Sequence, residues 1–454
     1  MSSQLMKSVS GIRGVVGDTL TPDLIVKVAS AFAKYTKNGQ IVVGRDTRPT
    51  GSAISDILES VLILSGCDVI DIGIVPTPTV ELMVRNLKAD GGIMISASHN
   101  PVEWNAFKLI NNSGVFLNEK EIARFFEYLD AEFRYVPWNK TGKITYNLSA
   151  ESVHVKKVIS VINKNKIRKK NYKVVLDSVN GAGSEITLRL LSELNCKIVP
   201  LYCDITAPFP RGAEPVPENL KDLAKAVKKY GADIGFAQDP DADRLAIVDE
   251  NGNPIGEENT LALATDHLLS KKKGRVVINL STTKAIEDIA KRHGVNVKRT
   301  KVGEINVTDE MRRNGARIGG EGNGGVISPE INMGRDSLAG IGYVLEMMAE
   351  RNLSVSGLVS SLPQYVMKKG KIAVGDAGKN KVMLDKIANQ FKTEKITTID
   401  GLRIDFVKHD EFKDGWVHLR PSNTEPIFRI ITEGKDASQA AKIYNHFVKM
   451  FNGK

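Results

Sequence analysis

The chain has 454 residues, of which 42% are apolar and 26% are charged, and its formal net charge is +10. This length suits several compact domains, and the composition is that of a globular protein rather than a disordered or fibrous one. We expect no membrane span, because apolar runs long enough to cross a bilayer are absent from the sequence. The first residues lack the apolar core of a secretion signal, and the three cysteines are not in CxxC spacing. These features argue against a disulfide framework or structural zinc and predict a cytoplasmic protein.

The positive charge has two explanations. The densest basic run, Lys164–Lys170 (KNKIRKK), contains no aromatic residues on which bases would stack. A basic nucleic-acid-binding scaffold is the alternative, but it leaves an acidic loop described below unexplained. We therefore expect a solvated, lysine-rich surface that attracts a small anionic substrate, with no nucleic-acid partner.

Three segments share one plan: Gln40–Val80, Lys173–Val199 and Arg275–Val302. Each has a β-branched run, a polar loop, an amphipathic helix and a second short strand, which is typical of parallel α/β layers. From about Lys368 the pattern changes to antiparallel strands, followed by a helix over Ala437–Phe451. The sequence predicts an α/β protein of three consecutive related domains with mixed sheets, plus a smaller α+β C-terminal domain. The predicted boundaries are 1–145, 146–250, 251–366 and 367–454.

A serine follows a short, predicted buried strand in Gly91–Pro101 (GGIMISASHNP). Ser98 comes just after Ile93–Ile95, at the carboxyl end of a strand, where α/β sheets bind ligands. It is a candidate nucleophile, and an ordinary polar turn is the alternative. A serine hydrolase is disfavoured, because His99 is adjacent in sequence rather than brought there by folding, and the G-x-S-x-G elbow is absent.

Three alternating aspartates follow a predicted strand in Ala237–Arg244 (AQDPDADR). In extended backbone, Asp239, Asp241 and Asp243 point the same way at roughly 6.6 Å intervals, and a curved loop would bring them together. Converging carboxylates need a cation, and oxygen ligands favour Mg²⁺ before Mn²⁺ or Ca²⁺. An EF-hand is rejected because its sixth position is Arg244 instead of glycine. A solvated acidic turn remains the alternative.

Two further loops have ligand-binding composition. In Gly319–Gly325 (GGEGNGG), Glu321 and Asn323 alternate and would suit two neighbouring sugar hydroxyls. The segment Arg420–Arg429 (RPSNTEPIFR) gathers a cation, hydroxyls and an amide, which is a composition that cradles phosphate. A flexible loop and an ordinary turn are the respective alternatives.

Together and in this order, SASHNP, DPDADR, GEGNGG and RPSNTEP resemble the α-D-phosphohexomutase family, along the whole chain and most closely its archaeal-type phosphomannomutase/phosphoglucomutase and phosphoglucosamine mutase members. The resemblance implies four domains around a central cleft and an intramolecular phosphotransferase. The reaction would interconvert hexose 1-phosphate and hexose 6-phosphate, of glucose, mannose or glucosamine, through a phosphoserine and a bisphosphorylated sugar. A metal-dependent sugar phosphatase is the alternative, and it would not need the distal phosphate loop.

The resemblance also assigns site residues, Mg²⁺ and a hexose 1,6-bisphosphate activator. It implies catalytic roles for Ser98, Lys108, Arg13 and Arg244; metal binding by phosphorylated Ser98, Asp239, Asp241 and Asp243; and substrate binding by Gly303, Glu304, Glu321, Asn323, Arg420, Ser422, Asn423, Thr424 and Arg429. One departure concerns Gly319–Gly325, which we call the sugar loop. In the family that the chain resembles, this loop more commonly reads GE-x-S-G-H. Here Asn323 fills the serine position and Gly325 the histidine position, so the preferred hexose stays open. The expected partner is a small sugar phosphate, and the oligomeric state is open, a homodimer being one option.

Overall fold

The computed structural model describes residues 5–373, 380–421 and 427–451. Within these residues the strands form four sheets, three of them mixed and the fourth antiparallel. The predicted α/β fold class is confirmed. Within the described ranges, no helix has the length and apolar character needed to span a bilayer.

The first sheet has seven strands in the order β1-β2-β6-β5-β3-β4-β7. Its strands are Met6–Ser8 (β1), Gly11–Val15 (β2), Ile41–Arg45 (β3), Val69–Ile74 (β4), Gly91–Ile95 (β5), Trp104–Asn111 (β6) and Ile144–Tyr146 (β7), with helices Pro22–Tyr35 (α1), Gly51–Leu64 (α2), Thr77–Leu87 (α3) and Glu119–Leu129 (α4). Strand β3 pairs in parallel with β4 and β5, whereas β6 is antiparallel to β5. Helix α4 starts at a reciprocal capping box between Asn118 and Glu121.

The second sheet has the order β11-β10-β8-β9. Its elements are Ala150–Val161 (α5), Lys164–Arg168 (α6), Lys173–Asp177 (β8), Gly183–Glu193 (α7), Lys197–Leu201 (β9), Lys221–Tyr230 (α8), Ile234–Gln238 (β10) and Leu245–Val248 (β11). Strands β8, β9 and β10 are parallel, and β11 returns antiparallel along β10. The turn between β10 and β11 carries the alternating aspartates.

The third sheet repeats this plan in the order β13-β12-β14-β15. Its elements are Glu257–Lys271 (α9), Val276–Asn279 (β12), Ala285–Arg292 (α10), Val297–Thr300 (β13), Glu304–Asn314 (α11), Ile318–Glu321 (β14), Gly325–Ile327 (β15), Ser337–Arg351 (α12) and Val355–Ser360 (α13). We call the part of the chain that carries each sheet a unit, numbered in chain order. Helix α12 of the third unit is buried along most of its length and shares one apolar core with α5 and α7 of the second unit. The turn between β14 and β15 carries the glycine-rich loop.

The fourth sheet is antiparallel, in the order β16-β20-β19-β18-β17. Its elements are Val366–Ala373 (β16), Asn380–Gln390 (α14), Lys395–Thr397 (β17), Leu402–Asp405 (β18), Trp416–Pro421 (β19), Ile427–Gly434 (β20) and Ala437–Phe451 (α15). The last helix has the predicted bounds, while β17 is a strand that the sequence pattern did not indicate. The predicted phosphate loop lies between β19 and β20.

Candidate active site

Ser98 lies in the loop after β5 and is 3% exposed. Its φ angle is +50°, a left-handed conformation that costs a non-glycine residue roughly 1–2 kcal/mol. The Ser98 amide donates to Ser96 Oγ at 2.9 Å. The buried Arg48 guanidinium donates to the carbonyl oxygens of Ser98 (2.6 Å), Asn100 (2.7 Å), Pro101 (2.6 Å) and Trp104 (3.1 Å). The Arg48 side chain therefore holds the backbone of the strained loop after β5, which we call the serine loop.

The three aspartates converge in the β10–β11 turn. Asp239, Asp241 and Asp243 have no exposed surface, and each offers a carboxylate oxygen within 4.8 Å of the others. Asp241 Oδ1 and Asp243 Oδ1 are buried, and neither has a hydrogen-bond partner among the described residues. Two unpaired oxygens in one buried acidic cluster are costly unless a cation binds there. The residues present therefore fit a metal ion.

The serine and aspartate loops meet directly. Ser98 Oγ donates a hydrogen bond of 2.8 Å to Asp239 Oδ2. Burial, followed by the charges of Asp243 and Asp241, raises the pKa of Asp239 well above its usual value. Thus the structure joins the carboxyl end of β5 with that of β10, although 141 positions separate the two side chains.

Lys108, on β6, balances part of this acidic charge. Its Nζ forms an ion pair with Asp241 and lies 3.4 Å from Asp243 Oδ2. Burial alone would lower the pKa of Lys108, but Asp241 and Asp243 raise it overall, so the ammonium keeps its proton. Burial would likewise raise the pKa of Asp241, yet Lys108 and the Thr77 hydroxyl hold it below its usual value.

Two arginines face the serine loop. Arg244 Nη1 donates to Glu214 Oε1 at 2.7 Å, and Nη2 lies 3.1 Å from His99 Nδ1. Arg13, on β2, donates to the Asn100 side-chain oxygen. Burial and then the charge of Arg244 lower the pKa of His99 to about 2. His99 is therefore a neutral acceptor for Arg244.

Glu321, at the end of β14, is held by the protein itself. Its Oε1 accepts from Asn279 Nδ2 at 2.8 Å and from the Gly303 amide at 2.9 Å. Gly303 has a φ angle of +117° at the start of α11, a conformation that favours glycine. In contrast, Asn323 Oδ1 is buried and has no partner in the described part of the chain. The loop thus offers one oriented carboxylate and one free amide oxygen.

Arg335 is a site residue that the sequence pattern did not reveal. Its Nη2 donates to Asp243 Oδ2 at 2.6 Å, its Nη1 to Glu321 Oε2 at 3.1 Å, and its Nε to Glu304 Oε2 at 2.9 Å. It therefore joins the aspartate loop, the sugar loop and the start of α11. In the sequence, Arg335 is a single arginine in Gly334–Ser337 (GRDS). No repeat or characteristic spacing there indicates a functional residue.

The C-terminal arginines lie on paired strands. Arg420 and Arg429 are directly opposite each other on β19 and β20, and like charges in such a pair repel. Arg420 Nε donates to Asp400 Oδ1 at 3.0 Å, and Asp400 Oδ2 accepts from the Val302 amide at 2.9 Å. No hydrogen bond between described residues joins these arginines to the serine loop. The other predicted phosphate-binding residues lie outside the described residues: Ser422, Asn423 and Thr424.

Comparison with known proteins gives the family. Four consecutive segments match "Phosphoglucomutase/phosphomannomutase": alpha/beta/alpha domain I over 5–134, domain II over 152–252, domain III over 257–365, and the C-terminal domain over 371–450. A "Phosphoglucomutase/phosphomannomutase" from Thermococcus kodakarensis is 38% identical over 453 residues, covering 97% of each chain. A "Probable phosphoglucosamine mutase" from Methanopyrus kandleri is 34% identical over 442 residues, covering 97% of this chain and 96% of the relative.

A solved structure gives the same result. The phosphoglucomutase/phosphomannomutase family protein from Burkholderia thailandensis has a TM-score of 0.83 and 26% identity, covering 99% of this chain and 98% of that one. The predicted resemblance and enzyme class are confirmed, and nothing in the comparisons supports the phosphatase alternative. The chain belongs to the phosphoglucomutase/phosphomannomutase family, the α-D-phosphohexomutases.

Proposed function

We propose that the protein interconverts hexose 1-phosphate and hexose 6-phosphate, with Ser98 as the phosphoryl carrier. The observation that carries this assignment is the 2.8 Å hydrogen bond between Ser98 Oγ and Asp239 Oδ2, at the edge of a buried carboxylate cluster. This hydroxyl lies beside carboxylates that fit a cation, and Arg13 and Arg244 contact the neighbouring Asn100 and His99. Phosphoryl transfer depends mainly on such positioning and on charge stabilisation.

Mg²⁺ is the metal we propose for the aspartate loop. Asp239, Asp241 and Asp243 supply only oxygen ligands, and two of their buried oxygens, Asp241 Oδ1 and Asp243 Oδ1, accept no hydrogen bond from the described residues. Hard oxygen ligands suit Mg²⁺. When bound, Mg²⁺ would neutralise the three carboxylates and draw negative charge from the transferred phosphoryl group.

The side chains around Ser98 have separate tasks in this proposal. In the forward step the bond between phosphorus and Ser98 Oγ breaks, a bond to the sugar O1 or O6 forms, and the proton lost by that sugar hydroxyl is balanced by the proton that Ser98 Oγ gains. Arg13 and Arg244 stabilise the charge on the phosphoryl oxygens. Lys108 keeps its proton at Nζ, because its pKa is raised, so it acts as a cation rather than a base. In the return step the second phosphoryl group of the bisphosphorylated sugar moves to Ser98 Oγ.

The rest of the cleft would hold the sugar and its second phosphate. We assign the sugar hydroxyls to Glu321 and Asn323, with Gly303 and Glu304 at the neighbouring turn. We assign binding of the distal phosphate to Arg420 and Arg429 and to three residues outside the described part of the chain: Ser422, Asn423 and Thr424. An opposed arginine pair is stabilised when an anion binds between the two charges. Holding whichever phosphate is distal would let both ends of the sugar present an oxygen to Ser98.

The substrate class follows from the same loops. We propose glucose and mannose phosphates, with glucosamine phosphate as the further candidate, and a hexose 1,6-bisphosphate as the activator that phosphorylates Ser98. The expected partner is this small sugar phosphate, and we propose neither a nucleic-acid nor a membrane partner. A homodimer stays a prediction. We propose a cytoplasmic location, because the free cysteines Cys67, Cys196 and Cys203 suit a reducing compartment.

A coupled assay tests this function. Glucose, mannose and glucosamine 1-phosphates are offered with Mg²⁺ and a catalytic amount of hexose 1,6-bisphosphate, and 6-phosphate formation is followed. Ser98→Ala should lose activity by at least about a thousandfold, whereas the exposed-site control Ser160→Ala should keep it. Mass spectrometry should find one phosphate on Ser98 after bisphosphate treatment. Full activity of Ser98→Ala, or stoichiometric release of inorganic phosphate, would contradict the proposal.

A further inference from the structure

Arg335 is placed at the point where the aspartate loop, the sugar loop and the start of α11 meet. Its guanidinium donates to Asp243 at 2.6 Å, to Glu304 at 2.9 Å and to Glu321 at 3.1 Å. The Arg335 amide also donates to Glu304 Oε1 at 2.9 Å. One nearly buried side chain therefore binds three carboxylates that come from three different loops.

The backbone of Arg335 is fixed by the helix that follows it. Asp336 is the N-cap of α12, and its Oδ1 accepts from the amides of Leu338 and Ala339 at 2.9 and 3.2 Å. Asp336 Oδ2 lies 2.8 Å from His154 Nε2 on α5. Because α12 is buried against the second unit, the backbone from which the Arg335 side chain extends is held rigidly.

The path of the Arg335 side chain depends on Gly325. A Cβ atom at position 325 would lie 2.2 Å from Arg335 Cδ and 2.8 Å from its Cγ, far inside van der Waals contact. Gly325 is paired directly with Glu321 across the β14–β15 ladder. The arginine side chain thus passes through the space that a side chain at 325 would occupy.

An arginine is needed for this arrangement, because a planar guanidinium offers five donors in a fixed fork. A lysine ammonium is a point charge and would hold at most part of the set. A guanidinium keeps its proton in proteins, and this one lies among the carboxylates of Asp243, Glu304 and Glu321. The guanidinium is therefore a permanent cation between the metal ligands and the sugar loop.

We propose that Arg335 is a positioning residue whose side chain fills the space beside Gly325, orients the Glu321 carboxylate toward the sugar and links it to Asp243. The inference rests on the proposed function, since the sugar is taken to bind at Glu321. It predicts opposite effects on two ligands. Loss of the fork weakens sugar phosphate binding, because Glu321 loses the donor that fixes its Oε2 and is then held only through Oε1, by Asn279 and the Gly303 amide. Loss of the charge strengthens binding of a divalent cation, because a competing cation beside Asp243 is removed.

The test measures both ligands by titration calorimetry on metal-stripped protein, with Mn²⁺ alone and with glucose 1-phosphate alone, beside KM and kcat. Arg335→Met should raise the KM and the Kd for glucose 1-phosphate by about ten- to a hundredfold. The same variant should bind Mn²⁺ at least about threefold more tightly. Arg335→Lys should weaken sugar phosphate binding but leave the Mn²⁺ Kd near that of the wild type.

The variant Gly325→Ala tests the position of the Arg335 guanidinium separately from its charge. The added methyl group displaces the Arg335 side chain without deleting it, so KM should rise while Mn²⁺ binding changes little. Arg351→Met, which breaks a partly exposed ion pair with Asp266, and Gly357→Ala, where a Cβ meets only ordinary contacts at 3.5 Å or more, are the matched controls. Both should behave as the wild type.

Three results decide the inference. An unchanged KM and glucose 1-phosphate Kd in Arg335→Met would overturn it. Parallel weakening of Mn²⁺ and glucose 1-phosphate, with a lower melting temperature, would show a purely structural role and also overturn it. If the wild-type protein lacks mutase activity but the Kd values still move in opposite directions, the role of Arg335 is supported and the proposed function alone fails.

Discussion

Arg48 does not touch the reacting hydroxyl of Ser98, but its loss should disturb the loop that carries this serine. Its guanidinium serves four carbonyl oxygens of the serine loop, and its Nε donates to Asp46 at 3.1 Å. Arg48→Met would remove the guanidinium donor from these carbonyl oxygens and the positive charge paired with the buried Asp46, which would keep only its hydrogen bonds from Ser96 Oγ and the amide of residue 48. Breaking such a buried set costs about 3–5 kcal/mol of the free energy of unfolding. Urea denaturation measures this loss, and phosphorylation of Ser98 by a hexose bisphosphate should slow in parallel.

The control for this variant is Arg189→Met, which removes an arginine whose side chain is about half exposed and pairs with Glu151. Surface pairs of this kind contribute little, so its midpoint in urea should stay near that of the wild type. Equal midpoints for the wild type and Arg48→Met would contradict the clamp on the serine loop.

Asp239→Asn should separate metal binding from folding. The amide keeps the shape of the carboxylate but removes one charge from the buried cluster. Without metal the variant should melt at a higher temperature than the wild type, because repulsion with Asp241 and Asp243 is reduced. Mg²⁺ at 100 times its Kd should stabilise the wild type by about 2.7 kcal/mol and so raise its melting temperature. The melting temperature of the variant should change little when Mg²⁺ is added.

Thermal scans with and without Mg²⁺ measure both effects, and Asp56→Asn on the exposed face of α2 is the matched control. A variant that still gains as much from Mg²⁺ as the wild type would contradict metal binding at Asp239.

Residues of the site differ in how far the sequence could predict them. Asp239, Asp241 and Asp243 are recognisable because their alternation after a strand is a local pattern. Arg48 and Arg335 are not, because their partners are distant in the chain: Arg48 contacts loop residues 50 to 56 positions away, and Arg335 reaches back 92 positions to Asp243. Such contacts are created by the packing of loops from different sheets, which no short motif records.

At the level of elements, the strand–loop–helix–strand plan was predictable because apolar runs and polar loops alternate. The pairs β3–β4, β8–β9 and β12–β13 are indeed parallel. The strand order within each sheet was not predictable, since β10 pairs with β8 rather than with the preceding strand β9, and β14 pairs with β12 rather than with β13. Strand β17 was missed because it is short and partly exposed, so its three residues carry no alternation.

The turn between β8 and α7 gives a prediction at this scale. Gly181 packs on the aspartate loop, and a Cβ there would lie 2.6 Å from the Pro240 carbonyl oxygen and 2.7 Å from its Cα. Gly181→Ala must therefore move the backbone between Asp239 and Asp241. We expect weaker Mg²⁺ binding by about tenfold or more, since metal sites tolerate little displacement of their ligands. Calorimetric Mg²⁺ titration measures it, with Gly357→Ala as control; an unchanged Kd would refute the coupling of the two turns.

Across the whole molecule, the units are joined by different kinds of contact. The second and third units share an apolar core around α12, which fixes the aspartate and sugar loops relative to each other. The fourth unit instead meets the third through polar groups, among them Lys284 with Asp414 and Glu433. Polar contacts of this type respond to pH, whereas an apolar core does not.

His418, on β19, is the pH-sensitive member of that interface. Its Nε2 donates to the Asp400 carbonyl oxygen at 2.7 Å, so Nδ1 is the acceptor for Ser281 Oγ at 2.9 Å. This pairing requires the neutral ring, and burial, with the charge of Arg403, lowers the pKa of His418 to about 4. In the unfolded chain the pKa returns to about 6.5.

The direction of the effect follows from these two pKa values. Below pH 6.5 the unfolded chain takes up a proton that folded His418 does not bind until about pH 4. Stability from this group is therefore complete above pH 6.5 and is lost as the pH falls toward 4, by about 1.4 kcal/mol per pH unit. Urea unfolding of the wild type and His418→Gln at pH 7.0, about 5.5 and about 4.5 measures it. The variant should be less stable at pH 7 but lose less on acidification, and equal slopes would mean that His418 does not carry the pH dependence of this interface.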